Sequence, residues 1–282
     1  MKLHFIPFWR RHSTTPSANR ALILSTTFAI LLGACVQCVS TPVTGRRSLQ
    51  LMPEQQMNAM GLQAYKEMRA KTPISHKTEW KALIERIGRR IASASGKNYE
   101  WEFEVFDEPK TVNAFCLPGG KIAFYTGIFP VAANEAGVAA IMGHEVAHAV
   151  AGHGNERISQ TLVVQLGLSA AQISLADSKY KKLIYGGLAL GAQFGVLLPY
   201  SRAHESEADL IGLRYMAIAG YNPEEAPLLW ERMNKESGGR VPEFMSTHPD
   251  PVNRAAKLRA AISTVSDLYQ RSDKQPSRPL PL

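Results

Sequence analysis

The first chemistry this chain offers lies in five consecutive residues. His144-Glu145-Val146-Ala147-His148 sets two imidazoles four positions apart. On an α-helix that spacing is about 40° of rotation and one turn of rise, so both rings leave one side of the helix and can share one metal ion. Glu145 flanks the same face and is placed to act on a water as a general base. This is the HExxH pattern of zinc hydrolases, with imidazole nitrogens suited to tetrahedral Zn2+. The bland alternative is a histidine pair buried in a core helix. The preceding turns, Ala136 to Gly143, are apolar on all sides. Two imidazoles and a carboxylate are costly to bury there without partners.

Two histidines leave a catalytic zinc one protein ligand short. The run Ser201-Arg202-Ala203-His204-Glu205-Ser206-Glu207-Ala208-Asp209 supplies the third. Glu205 and Asp209 are again four apart. Glu205 is expected to bind the metal, and Asp209 to accept the N–H of a ligand histidine and fix its tautomer. Alone, this run reads as an exposed acidic helix turn; beside HExxH it reads as the rest of the site. The expected cofactor is one Zn2+. His153 follows His148 by five residues, about 140° round a continuing helix, and is expected to make a polar contact at the helix end. His204 is expected to face away, with no role.

The pattern around these residues supplies a scaffold. Residues 53–70 read as helix. Residues 78–95 place Trp80, Leu83, Ile84, Ile87 and Ile91 at helical spacing, and Gly96 stops them. Then the period changes to two: Trp101, Phe103 and Val105 alternate with Glu102, Glu104 and Phe106. Residues 111–116 and 121–125 read as two further strands around Leu117-Pro118-Gly119-Gly120. Asn222-Pro223-Glu224-Glu225 reads as a capped helix start. Together these predict an α+β fold over 53–271, mainly helical, with a small three-stranded sheet beside the HExxH helix. Residues 183–201 carry no charge. They read as a helix that is buried or covers the site, with membrane contact as the other reading. Residues 272–282, with three prolines, are expected to be a flexible tail.

Composition excludes other classes. The 282 residues are 45% hydrophobic and 20% charged, which is ordinary for a globular chain. The net charge is +8, but Lys2, Arg10, Arg11 and Arg20 stand in an acid-free N-terminal stretch, and the remainder is only mildly basic. No nucleic-acid partner is expected. Cys35, Cys38 and Cys116 are too few for a disulfide framework. Residues 1–34 read as a signal peptide: a basic start, then the apolar stretch 21–34, then Cys35. Leu32-Gly33-Ala34-Cys35 resembles a lipobox, which makes Cys35 the expected lipidation site and 35–52 an anchored linker. A plain secretory signal and a mitochondrial transit peptide are the alternatives. Val36 in place of Asp favours the outer membrane, by resemblance to sorted lipoproteins.

Several stretches together carry a family resemblance. They are Thr44-Gly45-Arg46-Arg47, Val112-Asn113-Ala114-Phe115, Pro118-Gly119-Gly120, Gly127, the HExxH segment, the Ser201–Asp209 run, and Thr247-His248-Pro249 with Arg254. In this order the chain resembles the HtpX-like and CAAX-prenyl-protease-like zinc metallopeptidases, and among them the periplasmic BepA/LoiP type. The resemblance implies a zincin of the gluzincin type acting on proteins or peptides. By the same resemblance it implies quality control of misfolded envelope proteins on the periplasmic side of the outer membrane. It also implies that His248 either occupies zinc's open position as a latch or donates to the oxyanion, with Arg254 as a second donor. Asn113, Ala114 and Phe115 form either an edge strand that pairs with an extended substrate or an ordinary sheet strand. Two other functions stay open: a non-proteolytic zinc hydrolase, and a lipid-anchored assembly or chaperone factor in which cutting is secondary.

Overall fold

The computed structural model describes residues 38–176, 178–193, 197–236, 244, 248 and 253–280. The expected signal peptide, residues 1–34, and the expected lipidation site Cys35 lie outside them. The described chain starts with a hairpin, β1 (Cys38–Ser40) and β2 (Arg47–Leu49), paired antiparallel with Val39 opposite Ser48. This corrects the expected linker. Residues 41–48 are seated because Thr41 and Ser48 are buried and hydrogen-bonded to carboxylates of later helices.

Helix α1 (Glu54–Lys71) and helix α2 (Thr78–Ser95) follow as the periodicity predicts. The apolar stripe of α2, Ile84, Ile87 and Ile91, is fully buried. Gly96, at φ 67°, ends the helix in the left-handed conformation that costs glycine least. Strands β3 (Glu102–Phe106), β4 (Ala114–Leu117) and β5 (Lys121–Tyr125) form a sheet in the order β3-β5-β4. β3 runs parallel to β5, with Phe103 opposite Ile122. β4 runs antiparallel to β5, with Ala114 opposite Phe124. The expected three-stranded sheet is therefore present, and β4 is one of its edges.

A short helix, α3 (Phe129–Ala132), leads into α4 (Glu135–Ala151), the HExxH helix. Asn134 caps α4 by accepting from the Gly137 amide at 2.8 Å. Gly152, at φ 72°, ends it. The chain then enters α5 (His153–Ser174) and α6 (Lys181–Ala192). Helix α7 (Leu198–Ile218) returns to cross α4 and carries Glu205 and Asp209. Helices α8 (Glu225–Glu236), α9 (Arg254–Ala261) and α10 (Ser266–Arg271) complete the domain. α8 begins at Glu225, and Asn222 Oδ1 accepts from the Glu224 amide just before it.

The expected burial of 183–201 and the expected flexible tail are corrected here. The uncharged segment 183–201 is divided between α6 and the start of α7, and α6 buries none of its residues. Leu183 is 76% exposed and Leu190 61%. Among the described residues, no helix is long and apolar enough to cross a membrane. The C-terminal tail is not loose as far as Leu280. Its backbone joins the start of α4: the Glu135 amide donates to Arg278 O, the Leu280 amide donates to Ala133 O, and Leu280 is buried. The prolines there rule out a continuing helix, yet they leave an extended segment free to dock at an edge.

Where α4 crosses α7, the backbones nearly touch. A Cβ on Gly143 would lie 2.8 Å from Gly212 O, and one on Gly212 2.8 Å from Gly143 C. The crossing lies one residue before His144 and three after Asp209, so these glycines set the distance between the two halves of the site.

Candidate metal centre

His144 and His148 project from the last turns of α4 and Glu205 from α7, and their ligand atoms converge. His144 Nε2 is 3.0 Å from His148 Nε2 and 3.3 Å from Glu205 Oε2. His148 Nε2 is 3.4 Å from Glu205 Oε1. His248 joins them, with Nδ1 3.2 Å from His144 Nε2 and 3.0 Å from Glu205 Oε2. One ligand atom from each of these four residues lies within 4.8 Å of the others.

The donor set fits zinc. Ligands about 2.0–2.1 Å from a tetrahedral ion stand roughly 3.3 Å apart, and the separations above, taken over both Glu205 oxygens, run from 3.0 to 3.4 Å. Glu205 Oε1 is buried and, among the described residues, lacks a hydrogen-bond partner. Such an atom calls for a cation. Burial and Arg254 push the His144 imidazole down, while Asp209 and Glu205 pull it up, and the balance stands at about 9. His148 goes the other way: burial pushes it well below its ordinary value, which leaves its imidazole neutral, the form that binds a metal. Burial also pushes Glu205 up, but His148 and the hydrogen-bonding histidines hold it far below the carboxylate range.

Glu145 lies beside this cluster, buried, with Oε1 3.5 Å from His248 Nε2. Burial pushes its carboxyl above the ordinary value despite the neighbouring cations. Asp209 Oδ1 accepts from His144 Nδ1 at 3.0 Å. Arg254 grips both oxygens of Asp209 at 2.6 Å and lies over the Trp230 ring, 3.6 Å from its centroid. The guanidinium spends Nε and Nη2 on Asp209, beside His144, while its buried Nη1, 3.4 Å from Glu205 Oε2, has no hydrogen-bond partner among the described residues. His248 stacks on Phe244, centroids 4.5 Å apart. Asn113, Ala114 and Phe115 sit at the start of the edge strand β4. A cavity of about 360 Å³ lies next to this region, lined by Met57, Cys116, Pro118, His148 and Gly152 among others.

Some of the partners were not legible in advance. His153 does not continue α4: Gly152 breaks the helix, and His153 turns back so that its Nδ1 is 2.9 Å from His148 Nδ1. A glycine between two histidines was the available signal. His204 is buried, stacked on His153 at 4.5 Å, with Nε2 3.0 Å from Glu156 Oε2. It therefore faces a second polar cluster and not solvent.

A HExxH helix crossed by a second helix that delivers a glutamate, with a small sheet at its side, defines a zincin-like metallohydrolase. The chain belongs to peptidase family M48, whose model matches residues 77–262. The family's metalloproteases are zinc-dependent, and the chain is a metalloendopeptidase. It is 37% identical over 242 residues to the mitochondrial metalloendopeptidase OMA1 of Schizosaccharomyces pombe, spanning 82% of this chain and 68% of that protein. It is 34% identical over 208 residues to the mitochondrial metalloendopeptidase OMA1 of Saccharomyces cerevisiae, spanning 67% and 58%. The beta-barrel assembly-enhancing protease of Escherichia coli is 24% identical over 223 residues, spanning 76% of this chain and 45% of that one. The expected likeness to the periplasmic type therefore holds for the family, while these mitochondrial relatives share more identical residues with the chain.

Proposed function

We propose that this chain is a zinc-dependent endopeptidase of the cell envelope that cleaves proteins or peptides, misfolded envelope proteins among them. In this reading it is held on the periplasmic side of the outer membrane by lipid on Cys35. The observation that carries the enzymatic reading is the convergence of His144, His148, Glu205 and His248 with Glu145 buried alongside. His144, His148 and Glu205 would hold one zinc ion. Bound there, zinc supplies Lewis acidity to the scissile carbonyl and to the attacking water.

The chain's own residues do the rest. Glu145 takes a proton from water and returns it to the leaving amine, and its raised pKa brings it nearer the working pH. Asp209 holds the His144 tautomer, and Arg254 holds Asp209. The edge of β4, with Asn113, Ala114 and Phe115, pairs with an extended substrate through main-chain hydrogen bonds, which tolerate many sequences. His248 would act as a latch: with its Nδ1 3.2 Å from His144 Nε2 and 3.0 Å from Glu205 Oε2, its imidazole would stand in for the catalytic water, and activity would require it to swing away.

The test combines zinc content with a peptide-library digest, on the wild-type chain and on Glu145→Gln. The expected result is one zinc per chain in both and cleavage by the wild type alone. A zinc-loaded wild type that cuts no peptide overturns the reading. For the anchor, Cys35→Ser is expected to release the protein from membranes or block its processing. An unmodified Cys35 in the mature protein, seen by mass spectrometry, overturns that part.

A further inference from the structure

The two ligand histidines are supported in different ways. His144 Nδ1 meets a carboxylate directly, at Asp209. His148 Nδ1 meets another imidazole, His153 Nδ1, at 2.9 Å, and His153 Nε2 is 3.1 Å from Glu207 Oε2. A ligand histidine that offers Nε2 to a metal carries its hydrogen on Nδ1. His148 then donates to His153 Nδ1, and His153 must carry its own hydrogen on Nε2, which donates to Glu207. One tautomer assignment satisfies all three groups.

Glu207 is tied in turn to the N-terminal hairpin. Its Oε1 accepts from Thr41 at 2.7 Å and from Thr44, and its Oε2 from Arg46 Nε at 2.6 Å. The other two nitrogens of Arg46 donate to Glu156 at 2.8 and 2.6 Å, and Ser48 donates to the same carboxylate. Glu156, on α5, and Glu207, on α7, are both buried. Two buried carboxylates brought this close need a cation between them. The planar fork of Arg46 serves both at once, which a lysine ammonium cannot do with the same geometry. All of these hairpin residues precede residue 77, where the family match begins.

We propose that His153 and Glu207 are positioning residues that orient the His148 ring for metal binding, and that Arg46 completes this relay, so that seating of the β1–β2 hairpin tightens the metal site. The proposal rests on the metallopeptidase reading. It makes the segment between the N-terminal leader and the domain a working part of the centre: what pulls on that segment also loosens His148.

The test uses the full chain. Zinc affinity is measured by chelator competition, and the visible spectrum of the Co2+-substituted protein reports ligand orientation. Thermal melting in excess chelator serves as the control for fold. His153→Ala and Glu207→Gln are each expected to weaken zinc binding about 10–100-fold and to shift the Co2+ bands. The double variant is expected to bind no more weakly than the weaker single variant, because the two residues act in series. His153→Asn, which keeps an acceptor near the Nδ1 position, is expected to bind more tightly than His153→Ala. Arg46→Ala is expected to weaken zinc binding several-fold, with Arg46→Lys failing to restore it. Should His153→Ala not fold, Glu207→Gln, which keeps the side chain's shape, decides the matter. Zinc affinity within twofold of wild type in folded variants overturns the relay, whatever happens to the melting temperature. A wild-type chain that takes up no zinc overturns the metallopeptidase reading and the relay with it.

Discussion

Glu145 and Glu205 are both buried carboxylates within one small site, yet their surroundings drive them apart. Glu205 is surrounded by imidazoles that hold it ionised; Glu145 is pushed up by burial. In the proposed mechanism that split separates ligand from base. Glu145→Gln is therefore expected to keep zinc and fold while losing turnover by about 10²–10⁴-fold, the range for a lost general base. His144→Ala or Glu205→Ala is expected to lose zinc as well. Metal analysis alongside a peptide assay checks all three. His248 gives a prediction with opposite signs for its two roles. As a latch, His248→Ala raises basal proteolysis or self-cleavage. As an oxyanion donor it lowers turnover by roughly two to three powers of ten with zinc retained. Its 3.0 Å approach to Glu205 favours the rise.

The crossing of α4 and α7 depends on the absence of two side chains. Gly143→Ala or Gly212→Ala puts a methyl group into opposing backbone, which cannot rotate aside as a side chain would. Each is expected to cost about 1–3 kcal/mol of stability, the usual range for overpacking, and to spread the metal ligands. Denaturant unfolding together with zinc affinity measures both effects. Helix α6 provides the contrast. Leu183 is largely exposed and α6 buries nothing, so Leu183→Gln is expected to change stability by less than about 0.5 kcal/mol in the same experiment.

Across the whole molecule, both ends of the described chain are fastened to the catalytic helices: the β1–β2 hairpin through Glu156 and Glu207, the tail through the start of α4. The first fastening is sensitive to acid. Burial pushes the Glu156 carboxyl up, but Arg46, His204 and Ser48 outweigh it and hold the pKa down at about 2. A carboxyl depressed in the folded state contributes stability above its ordinary value and loses it as pH falls. The loss is expected between about pH 4.5 and about pH 2 and is on the order of 3 kcal/mol. Urea unfolding across that range is expected to show a shallower acid slope in Glu156→Gln. Much of this molecule was legible from the sequence because the signals are local. Backbone geometry alone puts His144 and His148, or Glu205 and Asp209, on one helix face. An apolar stripe such as Ile84, Ile87 and Ile91 marks a buried side, and Gly96 marks a stop. Other features came only from the tertiary structure: the Gly143–Gly212 contact, the turn of His153 back onto His148, the grip of Arg254 on Asp209, the seating of Arg46 between two glutamates, and the docked tail. Each joins residues whose pairing depends on which surfaces the folded core buries together. Spacing along the chain sets a residue's position on its own element, whereas the partner across a helix crossing or a buried carboxylate pair is chosen by close packing and by the cost of leaving charge unpaired.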